Sequence, residues 1–125
     1  MNFKQPKIHI DIMIDFACKD IETEELIRCS FQISRTDYRI LRKLLESDEM
    51  ETREIAVEMG IDRTTAHKSL KNLRKRKLIT RKQYNIPTGG YKYFYRAKNK
   101  DRIKERIRNL IENWSSSAKE SLENW

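Results

Sequence analysis

Residues 52–71, Thr-Arg-Glu-Ile-Ala-Val-Glu-Met-Gly-Ile-Asp-Arg-Thr-Thr-Ala-His-Lys-Ser-Leu-Lys, constrain this chain more than any other stretch. They read as two short helices joined by a tight turn. Ala56 lies four residues before Gly60, and Ala66 lies six after it, the spacing of a helix-turn-helix. A small side chain at 56 lets the second helix pack across the first. Glycine at 60 supplies the left-handed backbone that a sharp inter-helix turn requires. Asp62 is placed to cap the second helix by accepting from one of its free N–H groups. A second helix presented in this way can enter the major groove of DNA.

That second helix is expected over residues 62–77. Ala66, Leu70, Leu73 and the stem of Lys77 fall on one side; Thr64, Lys68, Lys71 and Lys75 fall opposite, flanked by Thr65, His67 and Asn72. An apolar back and a polar front suit groove insertion, but an ordinary amphipathic surface helix shows the same split. The charge distribution bears on the choice. Residues 1–60 carry nine basic and thirteen acidic side chains, a net of −4. Residues 61–98 carry twelve basic groups and one acid, a net of +11, and residues 99–125 carry six and five, a net of +1. The excess positive charge is therefore concentrated in the second helix and the hairpin-like segment after it, which points to an anionic partner.

Leu78-Ile-Thr-Arg-Lys-Gln-Tyr84 and Tyr91-Lys-Tyr-Phe-Tyr-Arg-Ala97 are rich in strand formers and flank the turn signal Asn85-Ile-Pro-Thr-Gly-Gly90. The pattern is a β-hairpin with a six-residue tip, decorated by Arg81, Lys82, Lys92 and Arg96. A hairpin directly after a groove-reading helix is a wing, able to reach the DNA backbone or the minor groove. Tyr91, Tyr93, Phe94 and Tyr95 fit sheet packing better than base stacking, because unstacked bases are mainly a feature of single strands. Upstream, Ser34 opens a helix running to about Ser47. Asp37 completes a capping box, Ile33 and Tyr38 form a hydrophobic staple, and Tyr38, Leu41, Leu44 and Leu45 form the inner stripe. After a short Ser47-Asp-Glu loop the next helix begins near Glu51 or Thr52 and buries Ile55, Ala56 and Met59. Residues 16–30 read as a further helix. Residues 7–14 alternate strictly, with Ile8, Ile10, Ile12 and Ile14 on one side, as in a strand with one buried face. Its pairing partner is either the wing sheet or its own copy in a dimer.

From Lys100 onward the chain reads as helix, loosened at Ser115–Ser117. Ile103, Ile107, Leu110, Ile111, Trp114, Ala118, Leu122 and Trp125 recur at steps of three and four. A compact core is complete before this stripe begins, so burial against a second subunit is the economical solution. Folding back onto its own domain is the alternative. The expected organisation is an N-terminal arm (1–15), a winged-helix domain (16–98) and a C-terminal dimerisation helix (99–125), mainly α with a small sheet.

Other functions have little support. A chain of 125 residues suits one domain plus an extension. No apolar run approaches the ~20 residues of a membrane span, and the N-terminus lacks the features of a signal peptide. A cytoplasmic, nucleoid-associated protein with no membrane partner is the expectation. Cys18 and Cys29, on one helix, would sit roughly 16 Å apart by helical rise, too far for a disulfide. They read as small buried hydrophobes, a thiol sensor or intersubunit disulfide being the alternative. His9 and His67 are isolated and no Cys-x-x-Cys occurs, so neither a metal site nor a cofactor is expected. No nucleophile–base pair is evident. The acidic runs Glu22-x-Glu24-Glu25 and Asp48-Glu-x-Glu51 read as solvated residues, so an enzyme is not expected.

The order of elements, with Leu26–Ile40, Glu54–Gly60, Asp62–Leu73, Gly89–Arg96 and Trp114, resembles the MarR/TrmB-type winged-helix transcriptional regulators, especially the short archaeal kind without a sugar-binding domain. The resemblance implies a homodimer bound to double-stranded DNA. It places Arg63, Thr64, Thr65, His67 and Lys68 at groove-facing positions, and Arg81, Lys82 and Lys92 at backbone contacts on the wing. Lys71, Asn72 and Lys75 complete the expected DNA-binding set; Ile103, Ile107, Leu110, Ile111, Trp114, Leu122 and Trp125 form the expected dimer seam. Lys77 departs from the pattern, standing where the family often has glycine before the pair Leu78-Ile79. Nothing corresponds to an effector-binding domain, and the sequence names no small-molecule effector. A protein-interaction module of transcription or chromatin machinery is the alternative reading, and a single-strand or RNA binder a third.

Overall fold

The computed structural model describes residues 22–125. The expected strand over 7–14, Cys18 and residues 16–21 of the first expected helix lie outside the described residues. Helix α1 is Thr23–Phe31. Glu22 is extended (φ −87°, ψ 130°), so the helix expected over 16–30 does not run through residue 22. Gln32 closes α1 in the left-handed region, and the N–H of Ile33 returns to the Arg28 carbonyl at 3.0 Å.

Helix α2, Arg35–Glu46, starts at the capping box read from sequence. The Asp37 N–H donates to Ser34 Oγ at 3.0 Å, and the Ser34 N–H donates to Asp37 Oδ2 at 3.1 Å. Each bond satisfies a backbone donor that the first turn leaves without a partner. Strand β1, Met50–Glu51, then leads directly into helix α3, Thr52–Met59. Helix α4 is Arg63–Lys75, and strands β2 (Ile79–Asn85) and β3 (Tyr91–Ala97) form the hairpin. Helix α5, Lys100–Glu123, is capped by Asn99, whose side-chain oxygen accepts from the N–H groups of Asp101 and Arg102. It is continuous through Ser115–Ser117, contrary to the expected loosening.

The sheet is antiparallel in the order β1-β3-β2, with Met50 opposite Tyr95 and Arg81 opposite Tyr95 on the other side. Two residues are too few to show a period of two, so β1 leaves no sequence signal. Its pairing nonetheless ties the wing to the segment before α3. The core sits between the helices and the base of this sheet. Ile40, Leu41, Leu44, Ile55, Leu70, Leu73 and Leu78 are its largest fully buried side chains.

Two members of the expected dimer seam belong to this core. Ile103 and Ile107 are only 5% and 8% exposed and pack in one cluster with Phe31, Tyr38, Leu41 and Leu44. The core is therefore not complete before α5; the first two turns of α5 finish it. Burying an isoleucine is worth about 1.5–3 kcal/mol, which holds the start of the helix on its own domain. Further along, Ile111 is 37%, Leu122 58% and Trp125 96% exposed, and Leu110 and Trp114 are half-buried.

Candidate nucleic-acid interface

The turn before α4 is built by local geometry. Gly60 adopts φ 66°, ψ 35°, and the N–H of Ile61 reaches the Ala56 carbonyl at 3.1 Å. Ala56 and Ala66 are both buried where α3 and α4 meet. Asp62 caps α4: the Thr65 N–H donates to Asp62 Oδ1 at 2.6 Å. That backbone hydrogen bond, with the Thr65 hydroxyl on the same carboxylate, holds the Asp62 pKa below its ordinary value.

Burial along α4 separates two faces. Ala66, Ser69, Leu70 and Leu73 are buried; Arg63, Thr64, His67, Lys68, Lys71 and Lys75 are exposed. Among the described residues none of Arg63, Lys68, Lys71 or Lys75 forms an ion pair. Two candidates are turned to internal work. Thr65 is half-buried and engaged with Asp62. Asn72 is half-buried and its side-chain amide donates to Asp37 Oδ2 at 2.8 Å, binding α4 to the N-terminus of α2.

The helix ends earlier than the expected residue 77. Arg76 is its C-cap, and Lys77 turns into the left-handed region at φ 59°. The N–H of Leu78 then returns to the Leu73 carbonyl at 3.0 Å. Lys77 thus performs the backbone turn that glycine would make freely, and it is exposed; the expected burial of its stem does not occur. The left-handed conformation costs a side-chain-bearing residue roughly 1–2 kcal/mol.

The wing carries the hairpin register from Ile79 opposite Ala97 to Asn85 opposite Tyr91. Its tip is five residues, Ile86–Gly90, one shorter than the turn signal suggests, because Asn85 pairs. The Ile86 N–H donates to the Gly90 carbonyl at 3.0 Å, with Gly89 and Gly90 both at positive φ. The basic side chains of the wing are engaged. The Arg81 guanidinium lies 4.0 Å from the Tyr93 ring centroid, and Lys82 Nζ lies 5.0 Å from that of Tyr84. Lys92 pairs with Glu51 at 3.6 Å and Arg96 with Asp48 at 2.5 Å, while the Tyr84 hydroxyl donates to Glu49 at 2.8 Å. The acidic run at 48–51, expected to be merely solvated, therefore anchors the wing. Its opposite charge to the hairpin was the available signal. Tyr84 and Phe94 meet edge to face at 5.0 Å, as do Tyr91 and Tyr93 at 5.2 Å, in keeping with aromatics that pack the sheet.

One further residue braces the end of α4 from behind, without a sequence signal. Arg106 of α5 donates through Nη1 to the Lys77 carbonyl at 2.9 Å and through Nη2 to the Arg76 carbonyl at 2.8 Å. Its guanidinium stands 4.7 Å from the Phe31 ring centroid at the end of α1.

A capped, outward-facing helix beside a basic hairpin presents cations and hydroxyls suited to an anionic surface. The family model described as "Sugar-specific transcriptional regulator TrmB" matches residues 27–101, which includes α2, the helix-turn-helix and the whole wing. The chain belongs to the TrmB family of transcriptional regulators. Its relatives include an uncharacterized protein of Methanocaldococcus jannaschii, 34% identical over 104 residues, covering 83% of this chain and 86% of that one. A possible transcriptional regulator from Methanosarcina mazei has a similar structure, with TM-score 0.80 and 26% identity over 89% of this chain and 94% of its own. A transcriptional regulator from Thermotoga maritima gives TM-score 0.54 at 25% identity over 97% of this chain and 89% of its own. An S. aureus MepR variant shares the fold alone, at TM-score 0.53 and 16% identity over 94% of this chain and 83% of its own. The TrmB-family chain is thus a winged-helix transcriptional regulator, and no helix among its described residues is long and apolar enough to cross a membrane.

Proposed function

We propose that this TrmB-family protein binds duplex DNA sequence-specifically as a homodimer and regulates transcription from the nucleoid. One α4 helix enters each of two successive major grooves, and the wing rests on the backbone or in the minor groove. The observation that carries the reading is the exposed row Arg63, Thr64, His67, Lys68, Lys71 and Lys75 on a helix whose other face is locked into the core. The fold is shared with MepR, whose structure was solved bound to an oligodeoxyribonucleotide. Arg63, His67 and Lys68 read base edges; Thr64, Lys71 and Lys75 hold phosphates, and the wing cations Arg81, Lys82 and Lys92 add affinity with little discrimination. Thr65 and Asn72 support the helix from behind rather than touching DNA.

The dimer seam is the outer part of α5, with Leu110, Ile111, Trp114 and Leu122, together with Trp125 just beyond its C-cap. An α-helix of 24 residues spans about 36 Å, and its exposed apolar end finds cover on a second copy. For both α4 helices to enter successive major grooves on one face of the duplex, the dimer has to hold them roughly 34 Å apart.

Selection of bound sequences from a random duplex library, with the mass in solution measured alongside, tests this. An inverted-repeat consensus bound by a particle of twice the 15.1 kDa chain mass supports it. No enrichment, or tighter binding to single strands, overturns it.

A further inference from the structure

We infer that Arg106 is a positioning residue that sets the angle between α5 and α4, and through it the half-site spacing the dimer accepts. The inference rests on the dimeric DNA-binding reading above. At the C-terminus of a helix the last carbonyls lack intrahelical partners and carry partial negative charge. The carbonyls of Arg76, the C-cap, and of Lys77, just past it, lie at this end of α4, and the Arg106 guanidinium reaches both, at 2.8 and 2.9 Å. The same cation lies over Phe31, the last residue of α1. Arg106 thus joins the ends of two helices to the side of a third.

Its neighbours on α5 fix the base of the lever. Ile103 and Ile107 are buried in the core on either side of it in sequence, so the helix is anchored to the domain around the clamp. From Arg106 to Glu123, the last residue of α5, is seventeen residues, about 26 Å of helix. A tilt of about 10° at the clamp would move the seam end by about 4–5 Å, more than the ~3.4 Å rise of the duplex axis per base pair. Apolar packing of two isoleucines resists translation but is not directional. The planar fork, bound to two carbonyls and stacked on a ring, is directional, and a lysine ammonium cannot reproduce it.

The test uses the full chain, its Arg106→Gln and Arg106→Lys variants, and inverted repeats whose spacers differ by one base pair, together with a single half-site. The wild type is expected to peak at one spacer. Both variants are expected to flatten that peak, losing about tenfold of its advantage over neighbouring spacers, while binding the single half-site as the wild type does. Arg106→Lys keeps the charge and guards against simple misfolding of Arg106→Gln. A preserved spacer profile in both variants overturns the inference. So does uniform weakening on every spacer and on the half-site, which is the mark of a merely structural arginine. A flat wild-type profile would instead strike the paired-groove reading itself, and the inference would fall with it.

Discussion

The two cationic surfaces of this molecule differ in a way that charge counting conceals. On α4, Arg63, Lys68, Lys71 and Lys75 stand exposed and make no ion pair among the described residues. On the wing, Lys92 and Arg96 are held by Glu51 and Asp48, and Arg81 and Lys82 lie over tyrosine rings. Formal charge is similar in kind on both, yet only α4 presents cations that need not leave a partner to meet a phosphate. The wing has exchanged part of its availability for a defined orientation. A basic segment is therefore best judged by how many of its cations lack an internal counter-ion, not by how many it contains.

The largest effect expected from that contrast is at the start of α4. With Arg63 reading a base edge as proposed, Arg63→Ala is expected to cost about 1–3 kcal/mol in binding to the selected sequence, with relaxed preference in a competition assay. Unchanged affinity and preference would break the docking of α4 in the groove. Next in size is the contrast itself. Lys71→Ala is expected to lower the slope of log K against log salt by about 0.9, equally for all sequences. Lys92→Ala should change the slope by less, because that cation already faces Glu51. Equal slopes for the two variants would show that the wing pair opens on binding.

The joint between the two surfaces offers a stability measurement. Lys77→Gly relieves a left-handed backbone at φ 59°, and is expected to raise the unfolding free energy by up to about 1 kcal/mol in a denaturant titration. Glu51→Gln sharpens the comparison from the other side by releasing Lys92. Duplex affinity is expected to rise by about 0.2–1 kcal/mol, the scale of an exposed ion pair; a fall would assign Glu51 a role in holding the wing.

The smallest effect concerns acid. Asp62 has its pKa lowered in the folded protein, first by the Thr65 backbone N–H and then by the Thr65 hydroxyl. A carboxylate with a depressed folded pKa contributes stability at pH values above its ordinary value of 3.8. That contribution is lost as pH falls through the lower folded value. Asp62→Asn keeps an acceptor for the cap but does not titrate. Its stability should therefore fall less than that of the wild type between about pH 5 and pH 2 in parallel unfolding curves.

Much of this architecture was legible because it is local. The capping box at Ser34 and Asp37, the turn at Gly60, the cap at Asp62 and the hairpin around Gly89 and Gly90 each depend on a few adjacent residues. The two faces of α4 were legible from a helical period of about 3.6. What escaped was non-local. Asn72 looked like one more polar residue on the exposed side until Asp37, distant in sequence, claimed its amide at 2.8 Å. The acids at 48–51 looked solvated until the sheet brought the hairpin beside them. Ile103 and Ile107 looked like the start of a continuous seam with Trp125, since one helical stripe has one period whether it meets one surface or two.

The amino-acid sequence by itself determined the order of the elements, the helix-turn-helix and the face of α4 that carries its cations, because caps, turns and periodicity act over a few residues. Tertiary structure alone decided which cations keep a counter-ion, where α5 stops serving the core, and that Arg106 grips the end of α4. Those outcomes depend on distances between residues far apart in the chain, and no local spacing records them.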